Sequence, residues 1–316
     1  MNKSDMLRKT VETTALAAGA DLIGFAPADT SSDPALKAIM PDVKTVIALG
    51  FRILRGSFRG IEEGSTFYQY STTGLETIEE TIIPGALLRV SAVIEDEGFL
   101  AVPQRKNQML RPAPEALNPE MLNTYWYPAG EKEPQPDFTA AAILCGLGER
   151  GDSGALLTDR FGPFQRIALI LTDAVFENCD QPVQPHLCDH CGACARACPG
   201  HALKDGEIDL PQCAAYYRGA NMRYNPYMDA EAYPDIPNRA AVMEGKADLS
   251  YEEALRVMED TYFYPPMKHG YAASICGRAC DRACYAHLEE KGVLSARFVS
   301  PFRRRPVWEL PMLKLK

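Results

Sequence analysis

Apolar residues recur with a helical period over residues 4–19, which are rich in good helix formers. Residues 21–27 (DLIGFAP) then read as a short buried strand, residues 34–39 as a short helix, and residues 45–50 (TVIALG) as a second strand. Helix, strand, helix, strand is the opening of a mixed helix and sheet layer. Residues 54–73 are polar, with Gly and Ser, and hold the aromatic cluster Phe67, Tyr68 and Tyr70. Helical periodicity returns over residues 74–98, where Pro84-Gly85 predicts a break or kink. Residues 101–103 read as a strand end.

Residues 104–137 lose periodicity and are rich in proline, with Asn107, Asn118 and Asn123. Tyr125, Trp126 and Tyr127 argue against simple disorder there, and leave two readings, a lid over a ligand or a packed surface excursion. Residues 138–144 predict a helix. Gly146-Leu-Gly148-Glu-Arg-Gly151 follows and matches G-x-G-x-x-G literally. A dinucleotide fold needs that motif after a strand and opening a helix, whereas here it closes one. Gly146 therefore reads as a helix cap rather than as part of a nicotinamide site. Residues 155–158 and 166–172 look like the two strands of a hairpin turning at Phe161-Gly162-Pro163.

The hairpin leads into Cys188-Asp-His-Cys191-Gly-Ala-Cys194-Ala-Arg-Ala-Cys198-Pro199, the C-x2-C-x2-C-x3-C-P run of bacterial ferredoxins. Three thiolates so spaced wrap one face of an iron–sulfur cube if the backbone between them turns tightly, and Gly192 and Ala193 are small enough for that. The fourth Cys of such a run serves a second cluster. Cys213, Cys276, Cys280 and Cys284 bring the set to eight. The sorting this suggests is Cys188, Cys191, Cys194 and Cys284 on one 4Fe-4S cluster, and Cys198, Cys213, Cys276 and Cys280 on the other. A zinc site and a disulfide framework are the alternatives. Zinc prefers paired C-x2-C knuckles, often with His, and disulfides suit small secreted domains. Cys145 and Cys179 fall outside the pattern and read as structural thiols. His190, between Asp189 and Cys191, reads either as a hydrogen-bonding tuner of the cluster or as a plain exposed side chain. Between Cys213 and Cys276 lies an insertion bearing Tyr216, Tyr217, Arg218, Arg223 and Tyr224, a helical stretch over 251–261 and a Pro265-Pro266 exit. The tail carries Arg303-Arg304-Arg305 and reads as packing back across the body.

Composition narrows the setting. The chain of 316 residues is 46% hydrophobic and carries a net charge of -9, which disfavours a nucleic-acid footprint or an anionic membrane surface. No apolar run reaches the length of a spanning helix, about 18 residues. The N-terminal segment reads as an amphipathic helix, not a secretory one, and the cysteine usage points to the reducing cytoplasm. About 180 residues precede the cysteine run, so electrons passing along two clusters should end at a site built by that first part.

The stretch CGLGERGDSGALLTDRFGPFQRIALILTDAVFENCDQP followed by CDHCGACARACPGHAL resembles epoxyqueuosine reductases and corrinoid reductive dehalogenases. DLIGFAP, PDVKTVIALGF, YQYSTTGL and LPQCAAYYRGA fall where that superfamily has comparable segments. The resemblance implies an α+β fold: a nitroreductase-like α/β core over residues 1–180, then a bacterial-ferredoxin-like two-cluster domain over 181–300 with an insertion at 214–275, then a tail over 301–316. It implies a reductase whose two 4Fe-4S clusters feed a cobalamin, with Gly146, Gly148, Phe161 and Gly162 against the corrinoid and a Tyr or acidic residue as proton donor. Candidates for that donor are Tyr68, Tyr70 and Asp137, with Glu131 and Glu133 nearby. The implied partners are a small-molecule substrate and a redox donor such as ferredoxin or flavodoxin, with no nucleic acid and no membrane; a homodimer is compatible. The alternative is an electron-transfer or reductive-activator subunit serving a corrinoid partner protein. The sequence departs from the family in three places. Its last motif has x3 for x2, and Tyr285 rather than Pro follows Cys284. No carboxylate aligns with the reductase's proton donor. The tRNA-binding repeats and the exported dehalogenases' signal peptide are not recognisable.

Overall fold

The structure is a computed structural model that describes residues 2–105, 134–204, 206–259 and 274–306. The aromatic and acidic candidates at 106–133, Pro265-Pro266 and the last ten residues lie outside that set, as does the side chain of Tyr68.

The first helix, α1 (Lys3–Ala17), starts where the Asn2 side chain accepts the Asp5 N–H, and turns Leu7, Val11 and Ala15 inward at four-residue spacing. A four-stranded sheet follows, built from β1 (Leu22–Pro27), β2 (Thr45–Arg52), β3 (Ala101–Arg105) and β6 (Gln165–Thr172) in the order β1-β2-β6-β3, antiparallel throughout. Two short strands, β4 (Glu149–Arg150) and β5 (Leu156–Leu157), pair with each other apart from it. The TVIALG run is explained by cover on both faces. Ile47, Leu49 and Phe51 pack with α1 and α5 (Ile83–Asp96), and Val46 and Ala48 pack with α2 (Pro34–Ile39) and α6 (Phe138–Leu144). A strand buried on both faces reads as continuous apolar sequence, not as an alternation.

Two sequence expectations need correction. Residues 155–158 and 166–172 do not form a hairpin: β5 pairs with β4, only a Thr158–Gly162 bridge spans the turn, and β6 inserts between β2 and β3. The apolar run of β6 is buried on both faces, and the central sheet offers it two neighbours where a two-residue partner offers little. The segment over 54–73 is not a plain loop. It holds α3 (Arg59–Glu63) and α4 (Tyr68–Ser71), and helical geometry then runs on through π-turns at Thr72–Glu76 and Ile78–Ile82 into α5. Pro84 follows directly on the second π-turn, at the start of α5, so the expected break is a change of helical register rather than an end to the helix.

The cysteine module carries α7 (Ala193–Ala197), α8 (Leu210–Tyr217), α9 (Arg239–Met243), α10 (Tyr251–Glu259) and α11 (Ala279–Lys291). The insertion has its own core of Tyr216, Met222, Tyr233, Met243 and Val257. By contrast, α11 joins the core of the first part. Tyr285 stacks on Phe164 with centroids 4.3 Å apart, and Phe164 stacks on Phe58 at 4.2 Å. Arg282, 2% exposed, donates to Glu62 of α3 at 2.7 Å, and Glu62 also accepts from Arg303 of the tail. Among the described residues no helix is long and apolar enough to cross a membrane.

Removing Glu62 strands a buried guanidinium, so Glu62→Ala should cost about 3–5 kcal/mol in urea unfolding at neutral pH. Burial pushes the Glu62 carboxyl up, but Arg303 and Arg282 outweigh it and hold the group below its ordinary value. A carboxyl lowered in the folded state stabilises above its unfolded pKa, about 4.3, and that contribution is lost as pH falls through the folded value. Stability measured from neutral pH down through the acid range should therefore drop more steeply in the wild type than in Glu62→Gln.

Candidate metal centre

The first cysteine run curls because two residues in it adopt left-handed backbone: His190 at φ 57° and Gly192 at φ 68°. Gly192 is the N-cap of α7, so Cys191 ends the loop, Cys194 rides the helix, and Cys198 leaves it in extended conformation. Arg196 donates to the Cys191 carbonyl at 2.9 Å and closes the turn. On α11, Cys280 and Cys284 stand at i and i+4, on one face. They point to different neighbours.

Cys284 meets Cys188, Cys191 and Cys194 around one pocket, walled also by Gly151, Asp152, Leu187 and Leu288. Burial drives its thiol far above the ordinary value, and Asp281, Cys194, Cys188 and Cys191 push the same way. Cys280 is likewise raised by burial, then by Asp281, with Cys276 and Cys213 adding to it. Cys213 is pushed up to about 12 by burial, with Cys276 and Cys198 contributing. Cys284 thus shares a pocket with Cys188, Cys191 and Cys194, while Cys213 feels Cys198 and Cys276, and Cys280 feels Cys276 and Cys213; all ten cysteines are free. Burial raises a thiol whether or not it is a ligand, as at Cys145, and a bound cation is what holds a set of thiolates ionised. The four thiol donors of the first pocket suit an iron–sulfur cluster. Cys145 is buried with its thiol toward the Val46 carbonyl, and Cys179 donates to Phe176; neither joins a group of four.

Charged and polar side chains ring the first group. Asp189 accepts from His287 at 3.0 Å and from Lys291 at 2.9 Å, and Lys291, then His287, hold its carboxyl far below the usual range. His190 is 80% exposed, and its Nδ1 lies 2.8 Å from Asp152. The buried Glu149 carboxylate accepts the backbone N–H groups of His186, Leu187 and Cys188. The second set adjoins the first part of the chain. Tyr217, pushed up to about 12 chiefly by burial, senses Arg166, Arg278, Glu79 and Cys276.

Tyr70 belongs to the same junction. It is fully buried, its ring packs on Phe58 and Phe67, and burial raises its hydroxyl well above the ordinary phenol value while Tyr217, Arg166 and Arg278 act on it. Ser274 stands near that hydroxyl, which makes no hydrogen bond of ordinary geometry among the described residues. Asp137 caps α6 instead: it accepts from Ala140 at 2.9 Å and from Arg150 at 2.6 Å. Burial raises its carboxyl, and those donors outweigh it, so the net shift is downward and favours the anion. Three of the four positions assigned to a corrinoid are glycines packed closely against other parts of the chain. A Cβ on Gly146 would lie 2.7 Å from the Gln181 carbonyl, and one on Gly148 would lie 2.0 Å from the Leu157 carbonyl. Gly162 sits under Leu288 and Tyr285, and Phe161 is buried beside Arg160. Sequence reasoning missed Glu149, Arg166, Tyr217 and Arg278. Glu149 was hidden inside a glycine motif, and a lone buried charge carries no spacing that would mark it.

Residues 182–204 match the 4Fe-4S binding domain family. Over 94 residues the chain is 35% identical to the tetrachloroethene reductive dehalogenase of Dehalobacter restrictus, a match covering 28% of this chain and 16% of that protein. An epoxyqueuosine reductase structure from Bacillus subtilis aligns at 14% identity with a TM-score of 0.48, covering 92% of this chain and 84% of that one. A reductive dehalogenase structure, described as suggesting a mechanism for B12-dependent dehalogenation, aligns at 14% identity with a TM-score of 0.47, covering 80% and 34%. The matched stretch spans about a sixth of the curated dehalogenase. The chain therefore contains a 4Fe-4S binding domain and, over 28% of its length, is similar to reductive dehalogenases.

Proposed function

We propose that the protein is an iron–sulfur reductase carrying two 4Fe-4S clusters, held by Cys188, Cys191, Cys194 and Cys284 and by Cys198, Cys213, Cys276 and Cys280. What supports this reading most is the pocket shared by Cys188, Cys191, Cys194 and Cys284, with Cys213 acted on by Cys198 and Cys276, and Cys280 by Cys276 and Cys213, beside it. When bound, such clusters pass single electrons. Electrons enter at the first group, which borders exposed His190 and the Asp189–His287–Lys291 set, from a small donor such as ferredoxin or flavodoxin. They leave from the second, which borders Tyr217, Tyr70 and Arg166. A small molecule reduced at that junction would find in Tyr70 a buried phenol with no hydrogen bond of ordinary geometry among the described residues, whereas Asp137 is already bound as a cap. The corrinoid of the related dehalogenases is the acceptor the resemblance favours.

The packing over Gly148 and Gly162 favours a second reading, in which the corrinoid rests on a partner protein and this chain is its electron-transfer or reductive-activator subunit. Metal analysis of one anaerobic preparation separates the two. About eight irons with retained cobalamin support the first, and the same iron with no cobalt after reconstitution supports the second. Zinc in place of iron would overturn both.

Cys284→Ala and Cys280→Ala should each remove about four irons, and each should abolish a different signal in the reduced protein's paramagnetic resonance spectrum. Loss of the same signal in both would overturn the partition. Tyr70→Phe removes an unpaired buried hydroxyl, so thermal unfolding should be unchanged or later. If Tyr70 gives the proton, turnover should fall roughly 100-fold or more, and unaltered turnover would remove it from that role.

A further inference from the structure

We infer that Glu149 sets the potential of the first cluster: it is a positioning residue that holds the Cys188 loop and fixes a negative charge behind it. This rests on the two-cluster reading and adds a residue to it. Glu149 comes from β4, in the first part of the chain, and its backbone is anchored there by pairing with Leu157. Its side chain is 3% exposed. Oε2 accepts the His186 N–H at 2.6 Å, Oε1 accepts the Cys188 N–H at 2.7 Å, and both oxygens lie 3.1 Å from the Leu187 nitrogen. Three successive amides thus close on one carboxylate, a cradle of the kind that otherwise binds a free anion. The same loop continues as Gly151, Asp152 and Ser153, which wall the pocket of the first four thiols. The segment that resembles a dinucleotide motif is therefore one side of the cluster site.

Two effects on the cluster follow, and both have the same sign. Reduction adds a negative charge to the cluster, and a fixed carboxylate hydrogen-bonded to the Cys188 amide opposes it. Amide groups directed at cluster sulfurs stabilise the reduced form, and Glu149 takes three amides at the first cysteine for itself. Both lower the potential.

The test uses reconstituted full-length protein and follows both cluster signals through a redox titration. Glu149→Gln should keep its iron and shift upward the midpoint of the signal that Cys284→Ala abolishes, leaving the other in place. Glu149→Asp, which keeps the charge, should stay nearer the wild type. An unchanged midpoint in Glu149→Gln, or equal shifts in Gln and Asp, would overturn the charge effect. Hydrogen exchange in the wild-type holoprotein supplies a measurement that needs no variant: the peptide holding residues 186–188 should exchange slowly, and rapid exchange there would overturn the cradle itself. Failure of the two-cluster reading would show separately, as wild-type protein without about eight irons.

Discussion

Cys280 and Cys284 stand one helical turn apart on α11, and each faces thiols that come from elsewhere in the chain. That divergence organises the module. The loop at 188–194 has to curl toward one side of α11, which it does through left-handed His190 and Gly192. The α8 helix has to carry Cys213 to the other side. Gln212, 1% exposed, holds that helix in place by donating to the Gly200 and Ala247 carbonyls and accepting the Leu249 N–H. These bonds connect the end of the cysteine run, the cysteine helix and the insertion at a single buried amide.

The orientation of α11 is set from its other faces. Tyr285 and Leu288 pack with Phe58 and Phe164 of the first part, and Arg282 reaches the buried Glu62. The same helix therefore presents thiols on one side and core side chains on the other. A buried ion pair adds little net stability compared with a well-packed apolar pair, but leaving either partner alone is costly. Its effect here is to favour one rotation of α11, because the alternative rotations strand a charge.

Much of this was legible in the sequence. The elements at 3–17, 22–27, 34–39, 45–52 and 138–144 followed from hydrophobic period, and the 4Fe-4S run at 188–199 from its spacing. What was not legible depended on partners. The β6 run gave no hint whether it pairs locally or across the sheet, since a strand buried on both faces looks the same in either place. The register change before α5 left no mark except Pro84. Glu149 looked like a spacer between glycines until its three amide donors, 37 to 39 residues downstream, were brought against it. Local pattern specifies segments, and the buried polar contacts that shape the centre are long-range.

The i, i+4 placement of two thiols on one helix has a mechanical corollary. Four residues of helix rise about 6 Å, and a helix seated in a core does not stretch. The spacing between these two thiols is thus built into a rigid rod, and bending elsewhere in the chain does not alter it.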